Sequence, residues 1–240
     1  MKALILAAGY GTRLYPLTLN TPKPLLPVKG KPIIDHIVEK INAVEAVDEV
    51  FVVTNDKFSE HFETWKNESG FEKKITIVND GTLNNDDRLG AIGDIHFVIK
   101  HENVDDDLLV VAGDNLFDFS LQELVRFFKE KKSSGVAVFD THDKSMIAGK
   151  LGCMELNSEG KVLCFEEKPA EPKSTLASTA CYLFTKEDLP LFDACLQENN
   201  TLDNSGEFVK YLLTKRKVHG FTFSGEWHDI GSKEQYELVK

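Results

Sequence analysis

The sequence lacks a long apolar run and an excess of positive charge, and each absence excludes a class of protein. No stretch of about 18 apolar residues occurs, so no segment is long enough to cross a membrane as a helix. The apolar run Ala3–Ala8 is too short for a signal peptide and leads into a glycine-rich turn, so we interpret it as a buried first strand. The chain of 240 residues carries 39 acidic and 28 basic residues, and its net charge of −11 argues against a nucleic-acid partner.

Cysteine is also scarce. The four cysteines form no Cys-x-x-Cys pair: Cys153, Cys164, Cys181 and Cys195. This spacing indicates neither a zinc site nor a dense disulfide framework. Three of the four lie in apolar stretches, so we expect buried thiols in a reducing cytoplasm.

The start of the chain contains a cluster of basic residues and no acidic residue. Residues 1–34 contain five cations and no acidic residue: Lys2, Arg13, Lys23, Lys29 and Lys31. A local basic island in an otherwise acidic protein favours a small anionic ligand.

Apolar runs of strand length alternate with helical patterns along most of the chain. The patterns predict strands over 2–8, 48–54, 74–79, 107–112, 135–141, 149–156, 161–166, 177–184 and 218–223, and helices over 33–45, 57–67, 88–100, 120–132, 186–198 and 206–215. The alternation predicts an open α/β sheet that binds ligands at the carboxyl ends of its strands. Residues 135–184 predict a β-rich portion. Because no linker or repeat is visible, we expect one domain over 1–240.

The most informative stretch follows the first strand. Gly9 and Gly11 allow the backbone to approach a ligand and to present N–H groups to an anion. Arg13 offers a planar set of donors for phosphate oxygens, and Lys23 lies in a loop stiffened by a proline on each side. Leu14 stands where a dinucleotide fingerprint has its third glycine, and the Gly-Lys-Ser/Thr ending of a P-loop is absent. The stretch therefore predicts a polyphosphate site of another kind.

Residues 6–27 resemble the N-terminal signature of the sugar-1-phosphate nucleotidylyltransferases, the family of glucose-1-phosphate thymidylyl- and uridylyltransferases and mannose-1-phosphate guanylyltransferases. Four further segments agree in order and spacing: 88–95, 110–115, 165–169 and 225–232. The resemblance implies a three-layer αβα Rossmann-like fold with a mixed, mostly parallel central sheet and a β-rich sugar-binding portion.

The resemblance also assigns roles to residues. It implies that Asp114 and Asp229 bind Mg²⁺, which needs only one or two carboxylates beside phosphate oxygens and water. Taken alone, each aspartate could equally be a turn or helix-capping residue. Catalytic roles fall on Arg13, Lys23 and Lys168. The remaining implied contacts are to the nucleotide at Leu6, Ala8, Gly9, Gly11, Thr12, Asn85, Gly90 and Asp114, and to the sugar phosphate at Gly152, Glu167, Lys168 and Thr179.

Two positions depart from the family pattern. Ala180 stands where the family has a glycine after Thr179. Asn84 or Asn85 falls near the place of a base-reading glutamine, and its amide can still donate to and accept from a pyrimidine. The shorter side chain leaves thymine, uracil and cytosine open.

These observations predict an enzyme that transfers a nucleotidyl group from an NTP, with dTTP or UTP favoured, to a sugar 1-phosphate. Three alternatives remain: a cytidylyltransferase for another phosphomonoester or a phosphonate, a non-catalytic nucleotide-binding relative, and a dinucleotide-dependent oxidoreductase, which the missing third glycine disfavours. The expected partners are the NTP and the phosphate acceptor, without nucleic acid or membrane, and a homo-oligomer is left open.

Overall fold

The fold is described from a computed structural model for residues 1–198 and 203–240. Its strands are β1 (Lys2–Leu6), β2 (Pro27–Val28), β3 (Lys31–Pro32), β4 (Glu49–Thr54), β5 (Lys74–Asn79), β6 (Leu108–Ala112), β7 (Asn115–Phe117), β8 (Gly135–Asp140), β9 (Cys153–Leu156), β10 (Val162–Glu166), β11 (Leu176–Phe184), β12 (His219–Phe223) and β13 (Trp227–Asp229). Its α-helices are α1 (Ile33–Asn42), α2 (Ser59–Ser69), α3 (Gly90–His101), α4 (Leu121–Lys131), α5 (Lys144–Ile147), α6 (Leu191–Glu198), α7 (Ser205–Leu213) and α8 (Lys233–Val239).

A nine-stranded mixed sheet forms the centre of the molecule. Strands β5, β4, β1 and β6 lie side by side and parallel, and β11 joins β6 antiparallel. Beyond β11, strand β8 pairs antiparallel to it and β12 pairs parallel to β8. The hairpin β9–β10 attaches to the first residues of β11.

Helices cover both faces of this sheet. Ala3 and Ile5 of β1 pack into a core with helices α1, α2, α4 and α8, whereas Leu4 packs into a second core with α3, α6 and α7. Successive side chains of a strand point to opposite faces, so a continuous apolar strand can serve both cores. The predicted three-layer arrangement with a mixed, mostly parallel sheet is confirmed.

The predicted elements agree with the structure apart from their ends and a few short segments. The first strand ends at Leu6, not at residue 8, and the strand predicted from 149 begins only at Cys153. Gly149 has a φ of 67°, which a strand does not allow. Residues 186–188 form a 3₁₀ turn before α6. The patterns did not predict the short strands β2, β3, β7 and β13 or the helix α5, and α8 was expected only as a helix capped by a residue of the C-terminal motif.

The parallel strands bring four loops to one edge of the sheet. Chain segments leaving β1, β4, β5 and β6 begin at Ala7, Asn55, Asp80 and Gly113 respectively, so they meet at the carboxyl ends of neighbouring strands. In the part of the chain described, no helix is long and apolar enough to cross a membrane. Cys153, Cys181 and Cys195 are buried, as expected.

Candidate active site

A cleft with two adjoining lobes opens at the carboxyl ends of the parallel strands. The glycine lobe is a cavity of about 560 Å³ lined by residues that include Leu6, Gly9, Gly11, Thr12, Arg13, Lys23, Asn85 and Asp114. The strand lobe is a cavity of about 260 Å³ lined by residues that include Gly152, Glu167, Lys168, Thr179, Ala180 and Asp229. The two lobes share five wall residues: Arg13, Asp114, Lys168, Asp203 and Asn204.

Two of the residues singled out from the sequence lie behind these walls. Ala8 is buried, and its carbonyl accepts a hydrogen bond from Asn55 Nδ2 at 2.8 Å. Gly90 begins helix α3 with a φ of 74°, and the next residue, Ala91, lines the strand lobe. Both positions therefore shape the cleft through the backbone.

The glycine lobe is formed by the turn that follows β1. Gly11 has a φ of 61°, and its carbonyl accepts a hydrogen bond from Thr18 Oγ1 at 2.7 Å. A Cβ at Gly113 would lie 2.7 Å from the Leu6 carbonyl oxygen, so only glycine permits the two strand ends to approach this closely. The turn is thus held by its own backbone and by the neighbouring strand.

Arg13 stands at the junction of the two lobes. Its residue is exposed, and within residues 1–198 and 203–240 its guanidinium makes no hydrogen bond or ion pair. Five donors are therefore available to a ligand that enters either lobe.

Lys23 is committed to the cleft floor. Its ammonium donates to Asp114 Oδ2 and, at 2.9 Å, to the carbonyl of Ile230, and its side chain is only 13% exposed. Burial alone would raise the pKa of Asp114, but the Lys23 ammonium and a hydrogen bond from Asn115 hold that pKa below its ordinary value. Asp114 is therefore a carboxylate at neutral pH.

Asp229 reaches the same floor from the other end of the chain. Strand β13 pairs antiparallel with β7, which places Asp229 opposite Asn115, and the Ile230 amide donates to the Asp114 carbonyl at 3.1 Å. Burial and the negative charge of Asp114 raise the pKa of Asp229 to about 6, against the opposing effects of Lys23, Arg13 and Lys168.

This carboxylate pair has the chemistry of a magnesium site. Magnesium is bound through one or two carboxylates, with water and phosphate oxygens completing the octahedron. Burial and the charge of Asp114 both raise the pKa of Asp229, so a bound cation would be stabilised by this pair of carboxylates. In the described part of the chain, no three or more His, Cys, Asp or Glu side chains are grouped to hold a metal. Asp114 and Asp229 thus suit a hard cation that brings other ligands with it.

Two adjacent residues, Glu167 and Lys168, give the strand lobe one carboxyl group and one ammonium group. Lys168 Nζ lies 3.6 Å from Glu167 Oε1 and donates to Asn204 Oδ1 at 3.1 Å. Burial raises the pKa of Glu167. The charge of Lys168 opposes this increase, and the charge of Glu207 adds to it. Lys168 has a φ of 45°, so the turn after β10 directs its side chain into both lobes.

Two glycines pack around Phe165 behind this acid and base. A Cβ at Gly206 would lie 2.5 Å from both Phe165 Cζ and Glu167 Oε2. A Cβ at Gly152 would lie 2.8 Å from Phe165 Cζ. Any side chain at either position would displace Phe165, and at Gly206 it would also displace Glu167.

A bulge in β11 forms the opposite wall of the strand lobe. The pairing of β11 with β8 shifts register between Ser178 and Tyr182, and Thr179 Oγ1 donates to the Ala137 carbonyl at 2.9 Å. Ala180 has a φ of 53°, a conformation that favours glycine. A glycine, which the family pattern has at this position, would adopt this conformation without strain.

Several cleft residues were not assigned from the sequence. Asp203 pairs with the Arg88 guanidinium at 2.8 Å, its carbonyl accepts from the Ala91 amide at 2.9 Å, and it adjoins Asn204. Trp227 Nε1 donates to Asn115 Oδ1 at 2.6 Å, and Asn115 Nδ2 in turn donates to Asp114. The sequence predicts a helix only from residue 206, and no local pattern indicates the contact of Asp203 with α3. Trp227 lies in the C-terminal motif, which is the signal that could have identified it.

The family is established by comparison over almost the whole chain. The profile of the nucleotidyl transferase family matches residues 2–239. The chain belongs to this family. The family predicted from the sequence motifs is thereby confirmed.

Curated relatives from other organisms align with almost the whole chain. The bifunctional protein GlmU of Methanocaldococcus jannaschii is 31% identical over 96% of this chain and 51% of that protein. A mannose-1-phosphate guanyltransferase of Sulfolobus acidocaldarius, so named provisionally, is 30% identical over 100% of this chain and 62% of that protein. The chain therefore spans about half the length of the GlmU proteins it matches.

Solved structures show the same fold. A glucose-1-phosphate thymidylyltransferase of Bacillus anthracis, assigned provisionally, superposes with a TM-score of 0.82 at 24% identity, covering 100% of this chain and 93% of that chain. A UDP-glucose pyrophosphorylase in complex with UDP-glucose superposes with a TM-score of 0.81 at 22% identity, covering 99% of this chain and 96% of that chain.

Proposed function

We propose that the protein transfers a nucleotidyl group from an NTP to a sugar 1-phosphate and releases pyrophosphate. The observation that carries this proposal is the junction of the two lobes, where Arg13, Asp114 and Lys168 line both cavities. Transfer between two phosphorylated substrates requires their phosphates to meet among cations and carboxylates of this kind. One relative described above is named, provisionally, a mannose-1-phosphate guanyltransferase, and that name gives substrates of this class.

In the proposed reaction an oxygen of the acceptor phosphate forms a bond to the α-phosphorus of the NTP. The bond from that phosphorus to the bridging oxygen of the β-phosphate breaks, and pyrophosphate leaves with the electron pair. A phosphomonoester has a second pKa near 6 by analogy with phosphorylated side chains, so at neutral pH the acceptor is already ionised. The reaction then needs positioning and charge neutralisation, without a general base.

In this proposal the cationic side chains of the cleft have separate roles in the reaction. Arg13, whose donors are unengaged within the described residues, would stabilise the charge that develops on the leaving pyrophosphate. Lys168, held by Asn204, would orient the attacking phosphate, and Glu167 would accept hydroxyl groups of the sugar. Lys23 would keep Asp114 ionised and add positive charge beneath the reacting phosphates.

Asp114 and Asp229 would hold the magnesium ion in this proposal. When bound, Mg²⁺ supplies positive charge that neutralises phosphate oxygens. The antiparallel pairing of β7 with β13 brings the two carboxylates together from distant parts of the chain.

Asn85 supports a pyrimidine nucleotide as the donor. It lines the glycine lobe, and its side-chain amide makes no hydrogen bond within residues 1–198 and 203–240, so the amide is available to a base edge. We propose dTTP or UTP as the donor, with CTP as the alternative. The buried thiols of Cys153 and Cys181 suit a reducing compartment, so the proposal places the enzyme in the cytoplasm.

The test is pyrophosphate release in the presence of Mg²⁺. Five NTPs would be crossed with the 1-phosphates of glucose, mannose and N-acetylglucosamine, and with phosphocholine and a phosphonate. A preferred pair that includes a sugar 1-phosphate supports the proposal. A preference for phosphocholine or the phosphonate would instead identify a cytidylyltransferase-like enzyme for another acceptor. If NTPs raise the melting temperature without turnover in any pair, the protein is a nucleotide-binding relative.

A further inference from the structure

Two aspartates that line neither lobe of the cleft lie close together. Asp94 on α3 is buried, 7% exposed, and its carboxyl group is within hydrogen-bonding reach of Asp80, which follows β5. Asp80 Oδ2 and Asp94 Oδ1 are buried, and neither has a hydrogen-bond partner in the described part of the chain. Two ionised carboxylates can only accept, so one proton between them is the donor that would satisfy both.

The hydrogen bonds around Asp80 fix where that proton lies. Asp80 Oδ1 accepts from the Thr82 amide and from Thr82 Oγ1, both at 2.7 Å. Because the Thr82 hydroxyl donates to Asp80, the Tyr10 hydroxyl at 3.3 Å must donate to Thr82 Oγ1. Asp80 therefore accepts from Thr82 on one side and from Asp94 on the other. This arrangement leaves the proton on Asp94.

Tyr10 lies between Gly9 and Gly11, so the chain of bonds ends in the turn that lines the glycine lobe. We propose that a proton held on Asp94 fixes Asp80, Thr82 and Tyr10 in sequence and thereby positions the glycine turn for the nucleotide. Asp94 acts as a positioning residue. The inference rests on the proposed function for its effect on the nucleotide, whereas its effect on the turn is independent of any activity.

The charges around the pair favour protonation. Burial and the carboxylates Asp80 and Asp203 raise the pKa of Asp94 to about 8. Asp203 itself forms an ion pair with Arg88. The basic groups of α3 face away from the pair, since His96 and Lys100 contact Asp193 of α6. Near Tyr10 the charged groups are Asp56, Asp80 and Asp87, all acidic.

The proposal predicts a loss of nucleotide affinity at alkaline pH. At one pH unit above the pKa of Asp94, about a tenth of the molecules keep the proton, so the KM for the NTP rises about tenfold between pH 7 and pH 9. The Asp94→Asn variant carries a permanent donor of the same shape and keeps its KM near the neutral value over this range. The Tyr10→Phe variant lacks the last hydrogen bond, and its raised KM is independent of pH.

Two readouts separate this inference from the proposed function. The first is the KM for the NTP in the pyrophosphate assay, measured against pH for the wild type and Asp94→Asn. The second needs no substrate: the backbone amide resonances of Gly9 and Gly11 are followed by NMR from pH 6 to pH 9. We expect both glycines to shift with a midpoint near pH 8 in the wild type and to stay constant in Asp94→Asn.

The outcomes are distinct. If no NTP is turned over but the glycine resonances titrate only in the wild type, the proposed function fails and the proton-held turn stands. If turnover is found but the wild type and Asp94→Asn share one pH profile and one set of titrating resonances, the inference is overturned and the proposed function stands. Resonances that do not titrate in the wild type overturn the inference whatever the activity.

Discussion

Lys23 and Asp114 are 91 residues apart in the chain and are joined by a hydrogen bond from the Lys23 ammonium to Asp114 Oδ2. Asp229 lies beside this pair with a pKa raised to about 6 by burial and by the negative charge of Asp114. One ammonium thus limits the repulsion between two carboxylates from distant parts of the chain. The first prediction follows from removing it.

Replacing Lys23 by methionine should lower kcat by about 10²-fold or more, because a buried cation is lost where phosphate charge must be neutralised. Pyrophosphate release measures the change. Lys29→Met is the matched control, since Lys29 belongs to the same basic island but is exposed. Equal activity in both variants would contradict the role of Lys23.

Arg13 and Lys168 should affect different kinetic constants. Arg13→Ala should lower kcat by about 10²–10³-fold with little change in either KM, because the residue serves charge that appears in the transition state. Lys168→Ala should instead raise the KM for the acceptor by about tenfold or more, the usual effect of losing a hydrogen bond to a charged group. Steady-state kinetics with both substrates varied tests the difference, and identical effects of the two substitutions would argue against separate roles.

Gly206→Ala should weaken acceptor binding selectively. The new methyl group would lie 2.5 Å from Glu167 Oε2 and Phe165 Cζ, so the Glu167 carboxylate must leave its position in the wall of the strand lobe. We expect a higher KM for the acceptor and an unchanged KM for the NTP. Lys210→Ala on the exposed side of the same helix is the control. A variant that retains the wild-type acceptor KM would show that this carboxylate does not contact the acceptor.

Ala180→Gly should stabilise the fold by about 1 kcal/mol. The φ of 53° at Ala180 is costly for a residue with a Cβ, and glycine removes that cost at a smaller penalty in chain entropy. Urea unfolding measures the change. Ala177→Gly, at a buried position of the same strand, should destabilise the protein. Destabilisation by both substitutions would mean that Ala180 is unstrained.

Glu49, which lies away from the cleft, should make the free energy of unfolding depend on pH. Burial would raise its pKa, but hydrogen bonds from Lys74, Thr76 and Lys2 hold the pKa below its ordinary value. A depressed pKa contributes stability above the unfolded pKa, which is lost as the pH falls through the folded value. Glu49→Gln should therefore lower the free energy of unfolding by about 1 kcal/mol at pH 7. The difference from the wild type should shrink below about pH 4; a difference that stays constant with pH would show that the charge of Glu49 is not involved.

The sequence predicted those parts of the cleft that lie next to a strand. Leu108–Ala112 is a continuous apolar run, so the strand and the position of Asp114 after it could be predicted from local pattern. The turn with Gly9 and Gly11 could be predicted in the same way. The short strands β7 and β13 could not, because three residues carry no recognisable period, although their pairing is what brings Asp229 to Asp114.

Contacts between distant loops left no signal in the sequence. Asn55 holds the Ala8 carbonyl, and Tyr10 reaches Thr82, yet each residue taken alone is an ordinary loop residue. Asp203 contacts α3 through its backbone and side chain, and only the packing of α3 against α7 makes that contact. The contacts of Asn55 and Tyr10 form because the parallel strands bring their loops to one edge of the sheet.

Strand β11 carries two structures of different character. Residues 181–184 pair with β6 inside the sheet, whereas residues 176–177 pair with the outer hairpin β9–β10. A bulge separates the two halves of the strand. The hairpin can therefore change in length or composition without altering the register of β6 and β1, which support the glycine turn. Because Gly152 and Glu167 of the strand lobe flank this hairpin, it is the segment to exchange when the proposed enzyme is to be given a different acceptor.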